Sequence, residues 1–172
     1  MVRENTEMVA NFFERIPIEI FFKKNGNGWS AGENLIHLHK STLPVSLSLI
    51  TPKILLRMMF GTESEIKEPL EIMKRLYFSK LQSGAHAGIF TPQIIVEGRM
   101  NPNEKAKLLK KWNDLSCEYI LRIGKWTDKE MSECNLPHPI LGKISVKQII
   151  CFSVFHNEHH VQNVRMKLQD QA

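Results

Sequence analysis

Histidine is the residue type through which this sequence offers chemistry. Most of its 7 histidines fall in two tight clusters, Ile36-His37-Leu38-His39 and His156-Asn157-Glu158-His159-His160. His156 and His160 are four apart, so on a helix both imidazoles lie on one face, one turn apart. That spacing lets two side chains share one metal ion; it also suits a hydrogen-bonded or surface pair. The stripe Ile149, Ser153, His156, His160, Val164 and Leu168 brackets the pair with apolar residues. Such a stripe turns inward. His159 lies about 100° around the helix from His160, on the flank or outside. Two imidazoles hold a metal loosely, and a helical bundle draws further ligands from facing helices. His37 and His39 are the candidates there. Being two apart, they point to nearly opposite sides, and only one can serve. His37 follows Glu33 by one turn, whereas His39 stands beside Lys40 and reads as more solvent-facing. His86 reads as a loop or helix-end residue. His138, between Pro137 and Pro139, reads as part of a rigid surface loop or the mouth of a site.

The elements that must position these residues read as helical. A first helix begins near Glu4 or Asn5, carries Met8, Val9, Phe12 and Phe13 at helical spacing, and is stopped or kinked by Pro17. A short apolar turn, Ile18 to Phe22, precedes the turn cluster Asn25-Gly26-Asn27-Gly28. The second helix has a start signal: Ser30 caps it, and Glu33 completes a capping box. It continues through Leu35, Leu38, Thr42 and Val45, where Pro44 can bend it. Pro52 opens a short apolar helix that Gly61 closes. Ser64 to about Leu81 reads as a further helix or a large excursion. Ser83 to Asn103, with Gly84, Gly88, Pro92, Gly98 and Pro102, reads as a long irregular connection, a kind of segment that is often functional. Within it, Ile94-Ile95-Val96 is the one strand candidate. A third long helix runs from about Pro102 to Ile123, with Gly124 at its end and a stripe of Leu108, Leu109, Trp112, Leu115 and Tyr119. Its lysines, Lys105, Lys107, Lys110 and Lys111, read as a solvated face, although such a cluster can also bind phosphate. Asn135 to Gly142 excludes regular helix. The last helix begins near Ser145 and reaches about Leu168. Four long helices predict an all-α bundle, up-and-down or cross-connected.

A length of 172 residues predicts a single domain over 1–172. With 42% hydrophobic and 24% charged residues, disorder, collagen and coiled-coil rods are excluded as descriptions of the whole chain. The longest strongly apolar stretch, Ile149 to Phe155, is far shorter than the ~20 residues of a membrane helix, so no membrane span is expected. The opening MVRENTEMVANFF carries Glu4 and no long apolar core, so no signal peptide is expected. Cys117, Cys134 and Cys151 are widely separated and form no CxxC, which argues against a disulfide framework or a cysteine zinc site. They suit buried or unreactive thiols in a reducing cytoplasm. The net charge of +5 can attract anionic ligands, but no nucleic-acid reader motif or aromatic platform accompanies it. A cytoplasmic protein without a nucleic-acid partner is the expectation, and a homodimer is compatible with a bundle of this size.

Two separated blocks add a resemblance. Gly28-Trp29-Ser30-Ala31-Gly32-Glu33-Asn34-Leu35-Ile36-His37-Leu38 resembles the W-S-x-x-E-x-x-x-H-L signature of the DinB/YfiT-like superfamily. His138-Pro139-Ile140-Leu141-Gly142, followed by His156-Asn157-Glu158-His159-His160-Val161-Gln162, resembles that family's H-P-x-x-G and H-x-x-x-H-x-x-Q pattern. The region from about 52 to 125 carries little of this signal. The resemblance implies a four-helix bundle with long crossover connections and a divalent metal at one end. It implies His37, His156 and His160 as the metal ligands; His39 and His159 are not carried over.

Three neutral imidazoles leave the ion's charge uncompensated. An open coordination position then admits water or substrate. A metal so held is a Lewis acid that lowers the pKa of water toward ~7 and favours the thiolate of a thiol. Zinc and nickel suit imidazole best, and iron or manganese can take such a set. The resemblance implies thiol-dependent transferase or isomerase chemistry, or metal-dependent hydrolysis. The expected function is therefore a metal-dependent enzyme that activates a small thiol or water for attack on a small electrophile. The alternative is a non-catalytic metal or small-molecule binding bundle with a regulatory or stress-response role. No general acid or base stands out, since Glu158 lies two residues from both His156 and His160 and points away.

Overall fold

The computed structural model describes residues 1–24, 28–66, 69–95, 98 and 100–169. The turn at Asn25-Gly26-Asn27 and the Val96 end of the strand candidate lie outside them. In chain order the elements are α1 (Val2–Arg15), α2 (Ile18–Phe21), α3 (Ala31–Ser48), α4 (Lys53–Phe60), α5 (Leu70–Gln82), a 3-10 turn (Gly88–Phe90), α6 (Pro102–Ile123), α7 (Asp128–Glu133), β1 (Asn135–His138), β2 (Gly142–Ser145) and α8 (Val146–Gln169). α1 and α3 each pack against both α6 and α8. The ring order is therefore α1, α6, α3, α8, and helices consecutive among these four do not all sit side by side. This is the all-α four-helix bundle with crossover connections expected from the sequence. The segment between α3 and α6 is the long crossover.

Local chemistry explains the boundaries. Ile16, the residue before Pro17, is extended with ψ 124°, which terminates α1. The Ser30 hydroxyl accepts from the Glu33 amide at 3.1 Å, and the Glu33 carboxylate accepts from the Ser30 amide at 2.9 Å. This is the reciprocal cap foreseen for α3. Pro44 lies inside α3 without ending it. The Asn101 side chain caps α6 by accepting from the Glu104 amide at 3.0 Å. Lys105 leaves the solvated face expected of its cluster. Its ammonium donates to the Glu14 and Ile16 carbonyls at 2.8 and 2.5 Å, satisfying orphan carbonyls at the end of α1. Lys107 and Lys110 pair with Glu104 and Asp114 on α6 itself.

The stretch from 124 to 145 carries two elements that periodicity did not disclose. Thr127 and Glu130 form a second capping box at the start of the six-residue α7. β1 and β2 then form an antiparallel hairpin in which Asn135 faces Ser145 and His138 faces Gly142. Gly142 has φ +76°, a conformation that glycine adopts without a Cβ penalty. No strand forms at Ile94 and Ile95. α8 opens on a further box: Gln148 accepts from the Ser145 amide at 3.0 Å, and the Ser145 hydroxyl accepts from the Gln148 amide at 3.2 Å.

The buried apolar side chains form two clusters. One gathers Val9, Phe13, Phe21, Leu35, Leu38 and Trp112, and the other Met73, Tyr77, Tyr119, Ile144 and Phe152. α8 serves both, with Val161 and Val164 in the first and Ile149, Ile150 and Phe152 in the second. His156 and His160 fall at the join. Among the described residues, no single helix is long and apolar enough to cross a membrane.

Candidate metal centre

Three histidines meet where α3 faces α8. His37 comes from the second turn of α3, and His156 and His160 from successive turns of α8. The structure brings these three together: one ligating nitrogen from each lies within 4.8 Å of the others. Nε2 of His37 and Nε2 of His156 are 3.2 Å apart. Two nitrogens bound to a tetrahedral zinc at ~2.0–2.1 Å would be about 3.3 Å apart, so this pair already has the spacing an ion requires.

The outer nitrogens are held by the protein. Nδ1 of His37 lies 2.9 Å from the Phe90 carbonyl oxygen. A carbonyl only accepts, so Nδ1 carries the proton and Nε2 presents its lone pair to the centre. Nδ1 of His160 lies 2.7 Å from Oδ1 of Asn34. The Asn34 amide nitrogen donates to the carbonyls of Ser30 and Trp29 at 2.8 and 3.4 Å, which assigns its oxygen to the His160 side. His160 is thus also protonated at Nδ1, with Nε2 free. Hydrogen bonds of this kind orient metal-binding histidines and raise their basicity. Trp29 covers the group, its ring nearly parallel to that of His160 at 8° and 6.1 Å, and 4.9 Å from that of His37.

Burial keeps the rings neutral. His37 and His160 are buried, and His156 is half-buried with its open side on a cavity. Desolvation is the main cause that lowers the proton affinity of all three, well below the ordinary value for His156 and His160, and repulsion from neighbouring histidines, His37 first for His156 and His156 first for His160, adds to it. A neutral imidazole is the form that binds a metal. Donor type, spacing, protonation and the tautomers of His37 and His160 fit a divalent ion.

The remaining histidines stand apart from this triad. His39 is half-buried on the other side of α3, where Lys111 is its charged neighbour. His159 sits on the flank, its ring against Phe78 and Phe155 and its Nε2 3.0 Å from the side-chain Nδ2 of Asn163. His86 is exposed in the connection and accepts from the Gly88 amide. His138 ends β1, and its Nδ1 accepts from the amides of Ile140 and Leu141 at 3.2 and 3.1 Å. Burial pushes its pKa down to about 4.

A cavity of about 790 Å³ opens from the triad. α3, α4, α5, α8, the hairpin and the 3-10 turn all line it. The irregular connection after α5 is thus part of the site: Phe90 orients His37, and Lys40 donates to the Thr91 carbonyl at 2.8 Å, tying that segment to α3. Sequence reasoning missed Trp29, Asn34 and Phe90. Asn34 was within reach of it, lying one turn before His37 on the same helical face. Phe90 contributes a backbone atom, so its residue type carries no signal.

No family model matches the chain, and no curated protein matches it. Among solved structures it is similar to YfiT from Bacillus subtilis, described as a probable metal-dependent hydrolase with an unusual four-helix bundle topology. The TM-score is 0.60 at 14% identity, over 99% of this chain and 83% of that one. The likeness establishes that the two chains share a fold, the YfiT-like four-helix bundle.

Proposed function

We propose that the chain is a member of the DinB/YfiT-like superfamily and a metal-dependent enzyme, with His37, His156 and His160 as ligands of one divalent ion. The observation that carries this reading is the meeting of three neutral, inward-turned imidazoles at the wall of a large cavity. An ion bound there supplies Lewis acidity, enough to make water or a small thiol nucleophilic near neutral pH. The chain's own residues do the rest. Asn34 and the Phe90 carbonyl hold two of the rings in the tautomer that offers Nε2. Trp29 shields them on one side. The cavity presents an electrophile on another. Zinc or nickel fits the all-imidazole set best, and water or thiol attack gives hydrolase or S-transferase chemistry respectively.

One observation favours a second reading, a non-catalytic metal or small-molecule binding bundle. No carboxylate lines the cavity among the described residues, so a base beside the triad would have to be another histidine. The two readings separate in one set of measurements. Protein purified without nickel resin is expected to carry about one divalent ion per chain by elemental analysis, and His160→Ala to carry much less. Unchanged metal content in His160→Ala refutes the ligand assignment. Turnover of ester, amide or electrophilic-halide substrates, measured with and without added thiol and lost in His160→Ala, supports the enzyme. Metal binding without turnover of any of them supports the binding bundle.

A further inference from the structure

The wall of the cavity has a chemical bias of its own. Its described lining contains no lysine, arginine, aspartate or glutamate. Leu56, Phe60, Leu136, Ile149 and Phe152 make up much of it. At the rim, Leu47, Met59 and Ile89 are 47, 60 and 83% exposed, so the apolar character continues to the mouth. A volume of about 790 Å³ lies within the ~300–1,000 Å³ that encloses a drug-sized ligand.

Within this apolar space His138 provides a directed polar atom. Two backbone amides donate to its Nδ1, so the neutral ring carries its proton on Nε2. Nε2–H has no hydrogen-bond partner among the described residues, and it is not among the fully enclosed atoms that lack one. The ring lies in the cavity wall. Phe152 packs on both His138 and His156, with centroids 4.9 and 6.1 Å away, and Tyr77 lies 6.4 Å from each. One free donor therefore stands across the Phe152 and Tyr77 rings from His156, in a pocket whose described lining has no charged side chain.

We infer that this cavity takes an uncharged, mainly apolar molecule bearing one carbonyl-type acceptor, anchored by His138 Nε2–H with its apolar body along the wall. The inference deepens the metal-dependent reading and rests on it for placing the carbonyl beside an ion. Along the wall away from the triad a free carboxylate would lose hydration without finding a cationic side chain, and burying an unpaired charge is costly; an ion at the triad would offset only a carboxylate that reaches it. Small hydrophilic thiols that carry several charged groups are therefore disfavoured, and apolar esters, amides or ketones are favoured.

Displacement of the uncharged fluorophore N-phenyl-1-naphthylamine from metal-free protein in chelator, at pH 8, tests this without catalysis. 2-Decanone is expected to displace it at least about tenfold more effectively than decanoate, the anion of equal length, and glutathione is expected to do so weakly. His138→Phe is expected to weaken 2-decanone binding by about three- to tenfold, the worth of one hydrogen bond, and to leave the naphthylamine unchanged. Equal affinity for ketone and carboxylate, or tight glutathione binding, overturns the ligand class. Unchanged ketone affinity in folded His138→Phe overturns the anchor. Should that variant fail to fold, the ketone–carboxylate comparison in the unsubstituted protein still decides the class. Metal content, read on the same preparation, fails or holds separately. Protein that binds no metal but prefers the ketone removes the metal reading alone, and protein that binds metal but takes both ligands alike removes the ligand class alone.

Discussion

Asn34 makes the centre more than three nearby rings. Its amide is pinned by two backbone carbonyls on one side and gives its oxygen to His160 on the other. Asn34→Ala removes the acceptor that selects the His160 tautomer. Metal affinity is expected to fall about 10- to 100-fold, read by competition with a chromogenic chelator, with helical content unchanged by circular dichroism. A variant that keeps full affinity would show that the His160 ring is held by packing alone. At this scale the sequence was partly legible. The i, i+4 pair declared that His156 and His160 share a face. It could not choose between His37 and His39, because their facing depends on how α3 is rotated against α8. His138 read as a loop residue because its two amide partners, Ile140 and Leu141, exist only once the hairpin has closed.

Among the elements, α3 carries the most constraint. Its first turn holds the capping box, and its second holds His37. Gly32 lies within the box, just before Glu33, in close approach to the end of α2. A Cβ there would stand 2.9 Å from a ring carbon of Phe21 and 3.2 Å from one of Phe22. In an exposed helix, glycine to alanine stabilises by roughly 0.8–1 kcal/mol. Here both rings are buried, and overpacking costs roughly 1–3 kcal/mol. Gly32→Ala is therefore expected to destabilise, lowering the midpoint of urea unfolding. A higher midpoint would mean that the α2–α3 contact yields readily. Some helix boundaries were legible because end signals are local chemistry: Ser30 with Glu33 marks the start of α3, and Pro102 and Gly124 mark the two ends of α6. α7 had the same kind of signal in Thr127 and Glu130, but six residues are too few to show periodicity. The hairpin has four-residue strands with Pro137 in one of them, so it offered no alternation to read.

For the molecule as a whole, the buried imidazoles tie stability to pH. In the unfolded chain they titrate near 6.5, and in the fold His156 and His160 stay neutral well below that. Below about pH 6.5 the unfolded state therefore binds more protons than the folded one. Stability is full above that pH and is lost as pH falls, by about 1.4 kcal/mol per pH unit for each such ring. Metal-free protein is expected to show a lower urea midpoint at pH 5.5 than at pH 8, and His156→Leu is expected to flatten that dependence. A midpoint that does not change would place the rings in water. The bundle itself was legible from the length and spacing of its four main helices. Its ring order was not, because the order is set by which faces meet across the crossover.

That ring order has a consequence for biosynthesis. His37 and His156 are 119 residues apart in sequence yet nearly touch. At roughly 5–20 residues per second, a ribosome needs roughly 6–24 s after adding the first before it adds the second. A nascent chain carrying α1 to α6 has at most one of the three imidazoles. An ion shared by the two helices would be captured only after translation has passed residue 160 and α8 has docked, so metal content would count chains with α8 in place and ignore those stalled before it.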